Sequence, residues 1–310
     1  MHYLNLSPAL SLQPALPFTA FRFSGGEPHL KIDPAGLEPG VPVCITVQAR
    51  STDEALLVLL AADALRRLGV RQMELFIPYF PGARQDRVMT PGEPLSARVY
   101  AGLINSAGFD RVTVFDPHSD VTPALLDRCE ALNNHAFIAQ VLSEIPDARN
   151  LTLVAPDAGA AKKMHQLTVA LGHERTVQCD KVRDVRTGRL SAAQVFADDL
   201  VGADCLIVDD ICDGGGTFLA LADALRAKNA GRLFLAVSHG IFGKGVEVLR
   251  SPFERVFTTN SFYDGEETGF LKVVNWDESI AFQTVAPLAR FFHHGGTEAR
   301  SGPPSAGGFY

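Results

Sequence analysis

Short apolar, β-branched runs alternate along this chain with longer stretches of helical periodicity. The run at 41–48 (VPVCITVQ) reads as a buried strand. Ser51 with Glu54 three residues later has the form of a capping box. Leu57, Leu60, Ala61, Ala64, Leu65 and Leu68 then follow at helical spacing, and Gly69 ends the helix. A strand at 73–80, a helix at 94–108 and a strand at 111–116 continue the pattern. After Asn150 it resumes with LTLVAP, a helix over 158–171, and the strands HERTVQC and AAQVFA. A strand at 204–210 (DCLIVDD), a helix at 217–230 and a strand at 232–238 complete it. Strands separated by helices of this length imply βαβ units and a mostly parallel sheet.

The pattern also echoes itself. Arg111 opens a strand that leads to His118, and Arg232 opens one that leads to His239, seven residues on in each case. Both follow a helix ending in Ala-Gly. The echo favours two domains of one fold over a single large sheet. We expect the join near Pro146–Asn150, giving domains at 1–147 and 148–294. The Gly-, Pro- and Ser-rich stretch 295–310 reads as a flexible tail.

Composition narrows the function. The 310 residues carry 28 Lys plus Arg against 35 Asp plus Glu, a net charge of −7. An acidic chain lacks the basic face that a general nucleic-acid binder needs. No apolar run approaches the ~20 residues of a membrane helix. The N-terminus has no Lys or Arg and is broken by prolines, so it does not read as a signal peptide. The five cysteines (Cys44, Cys129, Cys179, Cys205, Cys212) form no CxxC pair and read as reduced thiols. A cytoplasmic protein is the expectation.

The chemistry concentrates in LIVDDICDGGGT, residues 206–217. An apolar strand ends in Asp209 and Asp210. Asp213 and three glycines, Gly214, Gly215 and Gly216, follow, and Thr217 opens a helix. Consecutive glycines let the backbone fold tightly and turn N–H groups inward. With the positive end of a helix they make an anion cradle. Carboxylates at the end of a parallel strand lie where ligands bind in α/β folds, placed to accept from sugar hydroxyls or to hold a metal ion. The blander alternative is a helix-entry loop with solvated acids.

This pattern resembles the PRPP (phosphoribosyl pyrophosphate) motif of type I phosphoribosyltransferases. Further stretches narrow the resemblance: FIPYFPGARQDRV (76–88), 94–120, VAPDAGAAKK (154–163), VSHGIFGKG (237–245) and VFTTN (256–260). They look like segments of ribose-phosphate diphosphokinase (PRPP synthetase), in that family's order, across residues 18–290. The resemblance implies an α/β chain of two phosphoribosyltransferase-type domains, the first facing ATP and the second the ribose phosphate. It implies transfer of the β,γ-diphosphate of ATP to the anomeric hydroxyl of ribose 5-phosphate, with AMP leaving and Mg²⁺ required, in nucleotide biosynthesis. Residue by residue it implies ATP contacts from Arg84, Gln85 and Asp86. Phe23 would stack on adenine and Glu27 would accept from its amino group. His118 and Asp157 would serve the Mg–ATP complex as metal ligands. Lys181 and Arg183 would be the catalytic cations of a mobile loop. Two apart in an extended segment, they project to one side and could clamp the migrating diphosphate. A homo-oligomer, dimer or hexamer, is also implied, with Phe23–Glu27 reaching a neighbouring subunit's ATP site.

Four departures matter. Residues 1–17 are Pro-rich and unlike the family's N-terminal segment. VQARSTDEALL is shorter than usual, in a region that carries phosphate and ADP regulation in many members. The loop 88–93 (VMTPGE) is not basic. Gly214 stands where a Thr hydroxyl commonly meets the 5-phosphate. That roomier cradle keeps open a second acceptor, ADP-ribose, in NAD salvage. A non-catalytic regulatory homologue and a phosphoribosyltransferase are the competing classes. The retained Lys181, Arg183, His118 and Asp157 speak against the first, and the ATP-side motifs against the second.

Overall fold

The computed structural model describes residues 1–183 and 190–276; the side chains of 181–183 and 190–192 are outside the description. The expected tail at 295–310 and the end of the second domain lie outside the described residues.

The first half is built from β1 (His2–Asn5), β2 (Phe18–Arg22), β3 (Pro28–Ile32), β4 (Val43–Thr46), α1 (Thr52–Arg67), β5 (Met73–Phe76), α2 (Ser96–Ser106), β6 (Arg111–Phe115), α3 (Val121–Leu125), β7 (Cys129–Leu132) and α4 (His135–Glu144). Its sheet runs β1-β4-β5-β6-β7, every pairing parallel. β2 and β3 stand apart as an antiparallel hairpin. The second half comprises β8 (Thr152–Ala155), α5 (Ala161–Leu171), β9 (Thr176–Arg183), β10 (Leu190–Val195), β11 (Cys205–Cys212), α6 (Gly216–Ala227), β12 (Leu233–Gly240), β13 (Arg255–Thr259) and β14 (Leu271–Val274). Its sheet runs β10-β9-β8-β11-β12-β13-β14, parallel except where β10 meets β9. The repeated βαβ pattern thus yields two sheets, one parallel and one mostly parallel, as expected.

The capping box forms. Ser51 Oγ accepts from the Glu54 N–H at 3.3 Å, and Glu54 Oε2 accepts from the Ser51 N–H at 2.9 Å. The buried face of α1 is rotated from the expected one, running through Ala55, Val58, Ala61, Ala62 and Leu65. Small side chains let the helix approach the sheet closely. Leu57 and Leu60 fall to its flank and are only partly buried.

Among the described residues, three apolar clusters hold the molecule. One lies inside the first half and one inside the second. The third joins them: Phe76 and Phe115 from the first sheet, α4 residues such as Phe137 and Leu142, and Leu206, Phe234, Phe257 and Trp276 from the second. Trp276 packs edge-on against Phe76 and Phe115, with ring centroids 5.5 and 4.3 Å away. The halves therefore share a core.

All five cysteines are free, and burial pushes the thiols of Cys44, Cys179, Cys205 and Cys212 up to about 12, so they remain protonated at neutral pH. No described helix is long and apolar enough to cross a membrane.

Candidate active site

β8 pairs with β11 only as far as Val154↔Ile207, whereas β12 follows β11 to Cys212↔Gly240. The strand expected to end at Asp210 continues two residues further. Asp209 and Asp210 lie inside it, on the stretch with a partner on one edge only. The unpaired edge opens onto a cavity of about 880 Å³ whose wall includes both carboxylates.

Gly215 sits at φ +75° as the N-cap of α6, and a Cβ there would come within 3.0 Å of Leu249. The left-handed φ favours glycine there, and the close Leu249 methyl adds crowding for any larger residue. The turn brings Asp213, Gly214, Gly216 and Thr217 into the cavity wall. The first N–H groups of α6 have no intrahelical acceptor, which makes this corner a place for anionic oxygens.

The first half supplies the opposite wall. Arg84 and Asp86 come from the loop before α2, and His118 from the turn after β6. Gly82, at φ +73°, lets that loop lie against Ser96 and Tyr100 of α2. Several polar pairs cross between the halves, and two of them join these walls. Arg84 Nη1 lies 2.7 Å from Asp213 Oδ2, and His118 Nδ1 lies 2.6 Å from Asp210 Oδ2. The hydrogen bond to Asp210 raises the His118 pKa. Burial opposes ionisation of Asp210, but the His118 hydrogen bond and the Lys163 charge outweigh it and hold the carboxyl below its usual range. Burial also opposes ionisation of Asp86, and hydrogen bonds from Ser119 and Arg87 overcome it. Anionic oxygens entering this cavity would compete with Asp213 and Asp210 for Arg84 and His118.

Asp157 reaches the same cavity from the turn before α5, where its Oδ1 accepts from the Ala160 N–H at 3.0 Å. Among the described residues no group of three or more His, Cys, Asp or Glu side chains could hold a metal ion by itself. The donor set still suits Mg²⁺, a hard cation that takes one or two carboxylates and completes its shell with phosphate oxygens and water.

Other expected residues fall elsewhere. Gln85 does not line the cavity; its Oε1 accepts from Ser96 Oγ at 2.5 Å, at the start of α2. Phe23 and Glu27 sit at the end of the β2–β3 hairpin, and neither lines the cavity. Phe23 is 53% exposed and packs edge-on against Phe21, centroids 5.1 Å apart. Lys181 and Arg183 belong to β9, opposite Ala193 and Leu190 of β10, and their side chains lie outside the described residues. Asp180, one residue before Lys181, lines the cavity.

Sequence reasoning did not assign Lys163, Asp116, Asn134 or Ser238. Three of these line the cavity, and Ser238 is bonded to Asp116 beneath it. The tandem lysines after PDAG were a visible signal for Lys163. Ser238 and Asn134 carried none.

Comparison with known proteins bears on this architecture. The family model for the N-terminal domain of ribose phosphate pyrophosphokinase matches residues 10–108. That for the phosphoribosyl transferase domain matches 125–270. A curated protein from Granulibacter bethesdensis named ribose-phosphate pyrophosphokinase is 32% identical over 241 residues, 77% of this chain and 75% of its own length. One of the same name from Vibrio cholerae is 31% identical, covering 78% of each chain. The crystal structure of phosphoribosylpyrophosphate synthetase from Mycobacterium smegmatis shares the fold, with a TM-score of 0.72 at 24% identity over 84% of this chain and 86% of that one.

Proposed function

The chain belongs to the ribose-phosphate pyrophosphokinase family, and on that premise we propose that it transfers the β,γ-diphosphate of ATP to the anomeric hydroxyl of ribose 5-phosphate, giving PRPP and AMP. One observation carries this reading: a single cavity has Arg84, Asp86 and His118 on one wall and the Asp209–Thr217 strand and cradle on the other. A group passed between two substrates needs both sites to face one space.

In this reading the cradle of Asp213 to Thr217 holds the 5-phosphate through backbone N–H groups and the α6 terminus. Asp209 and Asp210 accept from ribose hydroxyls and orient the anomeric carbon toward the nucleotide. Arg84 leaves Asp213 to meet ATP, and His118 and Asp157 would hold the Mg²⁺ that accompanies it. The ion supplies charge neutralisation on the migrating group. Lys181 and Arg183 add positive charge to the diphosphate in transit. Phe23 and Glu27, which do not line this chain's own cavity, contact adenine in the site of a neighbouring copy, which makes the working form a homo-oligomer.

Gly214 supports a second acceptor. A Cβ at Gly214 would meet only carbons of the Lys244 side chain, the nearest at 3.5 Å, and one at Gly216 would meet nothing within 4 Å. Packing does not demand either glycine. Their bareness leaves space for a phosphate carrying a further substituent, as in ADP-ribose.

Incubation with ATP, Mg²⁺ and either acceptor, followed by assay of AMP, tests the proposal. AMP release with ribose 5-phosphate is expected. Release only with ADP-ribose selects the second reading, and no release with either contradicts both.

A further inference from the structure

The turn that carries His118 is fastened by the other half of the molecule. Asp116 is 3% exposed and sits at φ +36°, a conformation that non-glycine residues rarely adopt. Its Oδ1 accepts from Lys163 Nζ at 2.8 Å, and its Oδ2 from Ser238 Oγ at 2.5 Å and Asn134 Nδ2 at 3.0 Å. Lys163, in the first turn of α5, also donates to the Pro117 carbonyl at 2.8 Å. That carbonyl is one residue from His118. A carboxylate buried this deeply needs a cation and full hydrogen bonding. Lys163 is the one charged donor among the three partners, and the one that grips both Asp116 and Pro117.

Neighbouring Lys162 shows the contrast. It pairs with Asp120 at 3.0 Å, but both side chains are largely exposed, a kind of pair that contributes little. Two adjacent lysines thus have different roles, one on the surface and one in a junction.

We propose that Lys163 is a positioning residue that clamps the Asp116–Pro117–His118 turn of the first half onto the second, and so fixes the His118 ring beside Asp210. Ser238 serves only to complete the hydrogen bonding of Asp116. The consequence for turnover rests on the proposed diphosphokinase reading; the placement of the ring does not.

The test compares Lys163→Met, Lys163→Arg and Ser238→Ala in the full chain. Three quantities are read: melting temperature, the ¹³Cε1 resonance of His118 at fixed pH without added Mg²⁺, and the kinetics with Mg–ATP. The His118 resonance is assigned through His118→Asn. Lys163→Met should lower the melting temperature, move the His118 resonance and raise the KM for Mg–ATP about tenfold or more. Lys163→Arg should restore much of the resonance position and the KM. Ser238→Ala should lose stability while both stay near wild type. If Lys163→Met loses stability with an unmoved resonance and an unchanged KM, Lys163 is only structural and the proposal is overturned. Should Lys163→Met not fold, Lys163→Gln carries the same comparison. If the wild-type protein shows no diphosphokinase activity, that reading fails, and the resonance still decides for or against the clamp.

Discussion

Gly214, Gly215 and Gly216 are adjacent and answer to different demands. Gly215 is fixed by its left-handed φ and by Leu249, whereas its neighbours face open space or a flexible lysine stem. Gly215→Ala should therefore destabilise the fold by about 1–2 kcal/mol, the cost of the left-handed region for an L residue, with crowding added. Gly214→Thr should leave the melting temperature nearly unchanged and act on the acceptor instead. It adds a hydroxyl and narrows the cradle, so the ratio of KM for ADP-ribose to KM for ribose 5-phosphate should rise. Thermal melts of both variants and acceptor kinetics of the second check this. Equal losses of stability would remove the distinction.

At the scale of elements, α1 shows how local sequence sets an entry point. Ser51→Ala removes the side-chain acceptor of its capping box and should cost about 1 kcal/mol, read as a lower urea midpoint. Glu54→Ala should be milder, because Ser51 would still accept from the backbone. Elements with a clear periodicity or a β-branched apolar run were legible from the sequence: α1 with its capping box, α2, α5, α6, and the strands β4, β5, β6, β8, β9, β10, β11 and β12. α4 was not. Its residues Phe137, Ile138, Ala139, Val141 and Leu142 are all buried in the core shared by the halves, and its polar face is a short one, Gln140, Ser143 and Glu144, with no side-chain cap to mark the helix start. β7 (CEAL) and β1 (HYLN) lack β-branched residues and take their form from parallel neighbours. In the site, the acids and glycines of 209–217 were legible because they are contiguous. The partners of Asp116 were not, since Asn134, Lys163 and Ser238 meet it only through the fold.

For the whole molecule, the echo of Arg111–His118 in Arg232–His239 proves topological. Each arginine introduces a strand that follows a helix and lies inside its sheet, yet the two histidines diverge. His118 faces the cavity. His239 is buried between the halves, its Nε2 on the Phe115 carbonyl at 3.0 Å and its Nδ1 on Ser261 Oγ at 2.7 Å. Burial lowers its pKa below the ordinary 6.5 and so favours the neutral ring in the folded state. Below about pH 6.5 the unfolded chain binds a proton there more readily than the folded one. The contribution is intact above about pH 6.5 and declines as the pH falls toward the lowered folded-state value. Urea midpoints at pH 7.5 and 5.5 should fall more for wild type than for His239→Asn; equal falls would contradict the assignment. The shared core and the cross-cavity pairs make the two halves one catalytic unit, and the central claim is that a diphosphate passes between them. The most direct measurement is the product itself: ³¹P NMR after reaction with ATP, Mg²⁺ and ribose 5-phosphate. The account predicts AMP and a diphosphate on the anomeric carbon in equal amounts, whereas ADP with a phosphomonoester product, or no turnover with either acceptor, would contradict it.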